Sequence, residues 1–206
     1  MPRAAGQIDR AKNEAILDAA SDVIFERGLG APLDEVARRA GVSKQTIYNH
    51  YGSKGDLVRA LIERRSKTIA APLELPGAEA TPVETLAAYA EVLLRTVMID
   101  RGVTLFRLLI ANAGHDAELA RAILPGGFRG ARSRLTDFLR REDQVGRLAI
   151  DDPDQAADFF VGMVIGNYQL ESLLGLPQQL TGENVPRLAR EAAQRFVRAY
   201  TPVTAT

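Results

Sequence analysis

Helical periodicity is the feature that restricts the fold of this chain most strongly. Apolar residues recur three and four positions apart along nearly all of its 206 residues, and no convincing run of alternating β-branched residues interrupts them. Such spacing lines one face of an α-helix with apolar side chains, so it predicts an all-α protein. The spacing is most regular near the C-terminal end, at Val185, Leu188, Ala189, Ala192, Ala193, Phe196, Val197 and Tyr200.

Glycine, proline and capping residues divide the first third of the chain into four predicted helices. These helices cover residues 10–27, 33–40, 44–51 and 54–69. The buried face of the first is expected to comprise Ile16, Ala19, Ala20, Val23, Ile24 and Phe25. Gly28 and Gly30 end the first helix, and Pro32 is expected in the first turn of the second, where its missing N–H costs little. Gly52 ends the third helix, and Ser53 and Asp56 have the spacing of a capping box that opens the fourth.

A cluster of proline and glycine at residues 71–80 predicts a break between a small N-terminal unit and a larger C-terminal one. After it, Thr81 and Glu84 have the spacing of a capping box, with Pro82 at the first helical position. The remaining predicted helices cover residues 82–99, 103–113, 117–124, 128–142, 153–174 and 184–200.

The composition excludes several classes of function. There is no cysteine, which excludes disulfides, thiolate zinc sites and cysteine nucleophiles. His50 and His115 are the only histidines, a poor basis for a metal site. The sequence has no Gly-x-Ser-x-Gly elbow, phosphate loop or paired metal ligands, so neither catalysis nor a cofactor is expected. Asp116, next to His115, is better explained as a helix cap than as half of an acid–base pair.

Hydropathy and charge indicate the cellular location of the chain and the class of partner that it contacts. The apolar stretches are too short to span a bilayer and residues 1–10 lack a signal-peptide core, so a cytoplasmic location without a membrane partner is expected. The formal net charge is +0, but residues 1–67 carry 12 Lys and Arg against 9 Asp and Glu. This N-terminal surplus is compatible with nucleic-acid contact and equally with an ordinary solvated surface.

Residues 33–51 have the pattern of a helix, a tight turn and a second helix. Gly41 permits the bend, Val42 fills the angle between the helices, and Ser43 can cap the second helix. With Ile47 and Tyr51 directed inward, the outer face carries polar groups suited to base edges and phosphates: Lys44, Gln45, Thr46, Tyr48, Asn49 and His50. The pattern alone also fits an ordinary corner between two helices with a solvated polar face.

A longer match now becomes visible. From Ile16 to Leu57 the chain resembles the TetR/AcrR family signature in order and spacing, through Ile16-Leu17-Asp18-Ala19-Ala20, Phe25-Glu26-Arg27-Gly28-Leu29, Leu33-Asp34-Glu35-Val36-Ala37 and Ala40 to Lys54. A weaker resemblance, at residues 107–111 and 151–157, is to the C-terminal domain of AefR-like members. One position departs from the family pattern. Ala31-Pro32-Leu33 lacks the usual Thr or Ser at the start of the second helix, which puts a side-chain phosphate contact there in doubt.

The resemblance implies that residues 1–53 form a three-helix helix-turn-helix DNA-binding domain, and that residues 54–206 form a larger helical ligand-binding and dimerisation domain. It implies a homodimer that binds double-stranded DNA at an inverted-repeat operator, with the second helix of the motif in the major groove. Lys44, Gln45 and Asn49 then become candidates for reading bases, with Thr46 close by. Tyr48, His50 and Lys54 match positions that contact phosphates.

The resemblance also implies a repressor that a small apolar or amphipathic ligand releases from its operator. The candidate ligand-binding residues are Tyr89, Phe106, Phe128, Phe159, Met163, Asn167 and Tyr168. Each of them could instead be ordinary core, and Asn167 could face solvent. The two C-terminal helices are the expected dimer surface, where Gly162 and Gly166, one turn apart, would permit close helix approach or merely packing within the chain. An architectural DNA-binding protein is the other alternative, although the balanced charge does not favour it.

Overall fold

The structure is a computed structural model that describes residues 5–74, 81–99, 101–113, 128–177 and 180–202. These residues contain ten α-helices, one π-helix and no strand, which confirms the all-α prediction. The α-helices are α1 (Ala5–Arg27), α2 (Leu33–Ala40), α3 (Lys44–Tyr51), α4 (Lys54–Glu74), α5 (Pro82–Leu94), α6 (Gly102–Ala113), α7 (Phe128–Gln144), α8 (Pro153–Ile165), α9 (Tyr168–Leu174) and α10 (Val185–Ala199). The π-helix, Arg95–Ile99, directly follows α5.

The chain divides into two compact units. Unit 1 contains the described residues within Met1–Arg64 and Thr104–Gly127, and unit 2 those within Arg65–Val103 and Phe128–Thr206. The division falls inside α4, whose first half belongs to unit 1 and whose second half belongs to unit 2. A division of the DNA-binding part from the rest at residues 53 and 54 remains a prediction.

The core of unit 1 joins α1 to the three helices that follow it. Every helix contributes buried apolar side chains, among them Ile16, Ala20, Val23, Val36, Ala37, Ile47, Leu57, Val58 and Leu61. Half-buried leucines of α6 pack against the same core, at Leu105, Leu108 and Leu109. Phe25, expected in the buried face of α1, is instead 42% exposed, because helical periodicity places it on the side of α1 opposite the buried residues Ile16, Ala20 and Val23.

The core of unit 2 is built around the pairing of α5 with α10, against which α8 also packs. Tyr89, Phe160, Phe196 and Tyr200 form a chain of ring contacts, with centroid distances of 6.2, 5.0 and 4.7 Å between successive rings. The regular apolar face of α10 is therefore buried within the subunit, at Val185, Ala189, Ala192, Ala193 and Phe196.

Several helix ends follow the sequence signals. The structure reproduces residues 33–40 and 44–51 as helices, and the Thr81–Glu84 capping box is formed in both directions. Pro32, however, is the N-cap of α2 and not a first-turn residue, because its ψ of 141° is extended.

Three predicted boundaries are wrong. The first helix starts at Ala5 and not near residue 10. The helix predicted to end at residue 69 continues to Glu74 with Pro72 inside it, so the break after it starts later than residue 71. The helix predicted over 153–174 is two helices, because Gly166 at the end of α8 has φ 48° and ψ −142°, a conformation that cannot continue a helix. Gly162 and Gly166 therefore do not share a helical face. The predicted helix 117–124 lies outside the described residues.

Unit 2 holds its part of α4 at several points. Ser66 of α4 lies against Gly130 of α7, where a Cβ would come 2.8 Å from the Ser66 hydroxyl. Arg134 pairs with Glu74 at 3.0 Å, and the Arg141 guanidinium donates to the Leu73 carbonyl at 3.4 Å. These contacts lie on both sides of Pro72 and hold the helix where the proline has removed one backbone hydrogen bond.

Candidate nucleic-acid interface

The turn between α2 and α3 has the hydrogen bonds of a Schellman motif. Gly41 is left-handed at φ 66°, and the Val42 N–H donates to the Ala37 carbonyl at 3.0 Å. Val42 is half-buried against the core of unit 1. Ser43 then caps α3, since its hydroxyl accepts from the Thr46 N–H at 3.0 Å. The roles predicted for all three turn residues are confirmed.

Two residues orient α3. Ile47 is fully buried, and half-buried Tyr51 donates its hydroxyl to the Asn13 side chain on α1. Burial raises the pKa of Tyr51 above its ordinary value, so the phenol stays protonated and able to donate. The two anchors lie four residues apart, which leaves the opposite face of α3 exposed.

The exposed face of α3 carries five of the predicted DNA-binding residues: Lys44, Gln45, Tyr48, Asn49 and His50. Thr46 is half-buried beside them, 2.8 Å from the Ser43 hydroxyl. The Gln45 amide donates to Asn49 Oδ1 at 2.8 Å, which links two candidate base readers one turn apart. The His50 ring lies edge-on to Tyr51, with centroids 5.3 Å apart.

Lys44 and Lys54, the two lysines of the predicted site, have different surroundings. The Lys44 ammonium lies 2.8 Å from the Asp34 carboxylate of α2, whose hydrogen bond raises the pKa of Lys44. Lys54 is half-buried at the start of α4 and donates to the Ala31 carbonyl. Burial lowers the pKa of Lys54 below its ordinary value. Lys54 thus ties α4 to the segment that precedes α2, a contact that sequence reasoning missed.

Sequence reasoning also missed an ion-pair network around Glu35. The Glu35 carboxylate, whose side chain is only 10% exposed, pairs with Arg27 at 3.0 Å, Arg38 at 3.6 Å and Arg39 at 3.3 Å. Arg39 also contacts Glu26 through both carboxylate oxygens. The network fastens α2 to the end of α1. The spacing of Glu35 from Arg38 and Arg39 was visible in the sequence, whereas the partners on α1 were not.

The predicted ligand-binding residues have diverse surroundings. Tyr89 is fully buried against Phe160, whereas Phe159 and Met163 are 56% and 46% exposed on α8. Asn167 is exposed at the N-cap of α9, and Tyr168 is half-buried. Phe106 is half-buried in unit 1, and the Phe128 side chain lies outside what the structure describes. Tyr89 is thus buried where the pair on α8 is exposed, and a ligand-binding role for these residues stays a prediction.

Both parts of the chain match family models. Residues 16–61 match "Bacterial regulatory proteins, tetR family", and residues 84–202 match "AefR-like transcriptional repressor, C-terminal domain". A helix-turn-helix with an exposed polar second helix, joined to a larger helical part, defines a class of DNA-binding transcriptional regulators. With more than half of the chain inside the second match, the protein belongs to the TetR family.

Individual relatives agree with this assignment. The HTH-type transcriptional regulator BetI of Rhizobium meliloti is 29% identical over 171 residues, covering 81% of this chain and 80% of BetI. A TetR-family regulator from Mesorhizobium loti has a TM-score of 0.77 at 24% identity, over 93% of this chain and 97% of its own. The flavonoid-responsive regulator FrrA has a TM-score of 0.69 at 29% identity, over 94% and 98%.

These relatives are transcriptional regulators and not enzymes, as the sequence predicted. Members of the family bind DNA and act as dimers. Within the described part of the chain, no helix has the length and apolar character needed to cross a membrane.

Proposed function

We propose that this protein is a repressor that binds an inverted-repeat operator as a homodimer and leaves it when a small apolar or amphipathic ligand binds. The observation that carries the proposal is the exposed face of α3, where polar side chains stand opposite the buried anchor Ile47. A repressor role is supported by the description of the C-terminal family model. Because such a regulator works where the DNA is, we propose a cytoplasmic location.

Within α3 we propose a division of labour. Lys44, Gln45 and Asn49 read base edges, since lysine can donate to guanine and amides can pair with adenine. Tyr48 and His50 contact phosphates, with Thr46 beside them. Lys54 adds a phosphate contact through the ammonium hydrogens that the Ala31 carbonyl leaves unused.

Selection from random duplex DNA at two salt concentrations tests operator recognition. We expect enrichment of an inverted repeat with half-sites about one helical turn apart. Asn49→Ala should relax preference at one or two base pairs, each worth about 1–3 kcal/mol. Lys54→Ala should weaken binding to all DNA sequences equally and make the affinity less dependent on salt. An absence of enrichment from the folded protein, or the same uniform loss in both variants, would contradict the proposal.

The dimer surface that we propose is the exposed side of α8 and α9. Large apolar side chains are exposed there in the single chain, at Phe159, Met163, Leu170 and Leu174, and Leu176 is exposed just after α9. The apolar face of α10 is already buried within the subunit, so it contributes through its outer side. The centres of homodimer interfaces are richer in apolar residues than the rest of a protein surface.

Sedimentation of charge variants tests this surface. Phe159→Glu should shift the protein from dimer to monomer, because a carboxylate would be buried at the centre of the interface. Val145→Glu is the matched control: Val145 is 63% exposed but follows α7, outside the proposed surface. Equal sedimentation of the two variants, both dimeric, would reject the surface.

For the ligand we propose an amphipathic aromatic compound, because FrrA, which covers nearly all of this chain, is flavonoid-responsive. A flavonoid panel added to the operator complex should lower fluorescence anisotropy as protein leaves the DNA. Release should occur without unfolding, which circular dichroism checks. If no member of the panel releases the operator at concentrations that saturate FrrA, the ligand class is wrong.

A further inference from the structure

Asp34 and Lys44 form an ion pair across the helix-turn-helix. Asp34 lies in the first turn of α2 and Lys44 is the first residue of α3. Their side chains meet with Nζ and Oδ2 2.8 Å apart, although ten positions separate them in the chain. Asp34 was not among the residues to which the sequence assigned a role.

The pair is poorly placed to stabilise the fold. The Lys44 and Asp34 side chains are 47% and 64% exposed, and ion pairs at such exposure add little to folding stability. Lys44 also carries its charge at a helix N-terminus, which disfavours a cation, and no acidic residue in the first turn of α3 compensates it. The carboxylate that balances Lys44 comes from α2.

We propose that Asp34 is a specificity-determining residue: its carboxylate holds the Lys44 ammonium in a direction suited to a guanine edge and opposes the binding of that edge of the motif to phosphates. This inference rests on the proposed base-reading role of Lys44. It adds a residue of α2 to the determinants of sequence preference, and that residue acts by repelling phosphates.

The chemistry follows from the donors of the ammonium group. Lysine has three N–H donors, so one can remain on Asp34 while the others reach O6 and N7 of guanine, which are neutral acceptors. A phosphate bound by Lys44 in place of the base would lie beside a carboxylate of like charge, and that repulsion disfavours the contact. Asp34 thus penalises non-specific contacts more than contacts to the correct base, which is how repulsive groups create specificity.

The test measures binding of the full-length protein to a random-sequence duplex and to the selected operator over a range of salt. Asp34→Asn keeps the shape and removes the charge. We expect it to tighten random-duplex binding by about threefold to tenfold and to increase the magnitude of the salt slope by about 1. Operator affinity should rise less or fall, so that the ratio of the two affinities declines. Thermal unfolding of the variant checks that the fold is retained.

Two controls separate this role from a general charge effect. Asp137→Asn makes the same charge change on α7, where Asp137 pairs with Arg140 at 2.7 Å, and it should leave the affinity ratio unchanged. In a Lys44→Gln background, Asp34→Asn should also leave the ratio unchanged, because without the ammonium neither a guanine edge nor a phosphate is bound beside Asp34.

The inference is overturned if Asp34→Asn changes both affinities by one factor, changes neither, or acts equally with and without Lys44. Should selection give no preferred sequence at all, the proposed operator recognition fails separately. The random-duplex measurements then test the role of Asp34 alone. Only tighter random-duplex binding on Asp34→Asn that disappears without Lys44 agrees with the inference.

Discussion

The contact between α4 and α7 predicts a substitution whose effect on the free energy of unfolding changes sign with the residue at a second site. Gly130 is the third residue of α7, and a Cβ built there lies 2.8 Å from Ser66 Oγ but 3.8 Å from Ser66 Cβ. The first distance is far inside van der Waals contact, whereas the second is ordinary. Ser66 is buried, so its hydroxyl has little room to move away. Ser66 therefore makes glycine necessary at position 130.

The expected energies follow from two opposing terms. Alanine gains about 0.5–1 kcal/mol over glycine in a helix, and overpacking a buried site costs about 1–3 kcal/mol. Gly130→Ala should thus lower the free energy of unfolding by about 0.5–2 kcal/mol in the native background. In a Ser66→Ala background the clash is absent, and Gly130→Ala should raise the free energy of unfolding by about 0.5–1 kcal/mol. The coupling between the two sites then falls at about 1–3 kcal/mol.

Urea denaturation of the four proteins at one protein concentration measures these values, since dimerisation would otherwise shift the midpoints. Gly55→Ala is the control: Gly55 is the second residue of α4, and its Cβ would lie 3.7 Å from Ser53 Oγ, an ordinary contact. It should be mildly stabilising or neutral with or without Ser66. The reasoning is refuted if Gly130→Ala destabilises the protein equally in both backgrounds.

Three further predictions concern single sites. Burial raises the pKa of Tyr89, so the folded protein keeps the phenol proton at a pH where the unfolded chain releases it. Ionisation therefore favours the unfolded chain, and the free energy of unfolding falls as pH rises above about 10. Urea midpoints between pH 9 and 11 should therefore fall less steeply for Tyr89→Phe, and equal slopes would count against the prediction. Gly102→Ala should destabilise by about 3 kcal/mol or more, because the new methyl would overlap the Thr96 and Val97 carbonyl oxygens, and a native-like urea midpoint would exclude that contact. Glu35→Ala should cost about 1–3 kcal/mol in the same assay, since three arginines lose a common partner, while a loss below about 0.5 kcal/mol would mean that water replaces the carboxylate.

Short-range signals account for what could be predicted about the recognition motif. Gly41, Ser43 and Gly52 act on hydrogen bonds within a few residues of themselves, so their effect does not depend on distant parts of the chain. For this reason α2 and α3 were located to the residue. Periodicity identified the buried side of α3 in the same way, since Ile47 and Tyr51 must share a face of any helix.

Signals that compete with tertiary contacts were misread. Pro72 ends most isolated helices, yet α7 holds α4 before the proline, at Ser66, and after it, at Leu73 and Glu74. Gly166 within an apolar run is compatible with a continuous helix, and only its backbone conformation shows that α8 ends there. At Pro72 tertiary packing outweighs local preference, whereas at Gly166 the helix ends at a residue whose positive φ glycine adopts readily.

Periodicity also leaves partners unidentified. It defined the apolar face of α10 correctly, but the same pattern would suit a partner subunit or the chain's own core, and the fold assigns that face to α5 and α8. The same limit applies to charged groups: Asp34 meets Lys44, and Lys54 meets the Ala31 carbonyl, across separations that no sequence spacing encodes. A helical pattern states which side chains share a surface, because the helix is a local structure. Which surfaces meet is decided only when the helices pack, because that packing depends on the shape and charge of the whole unit.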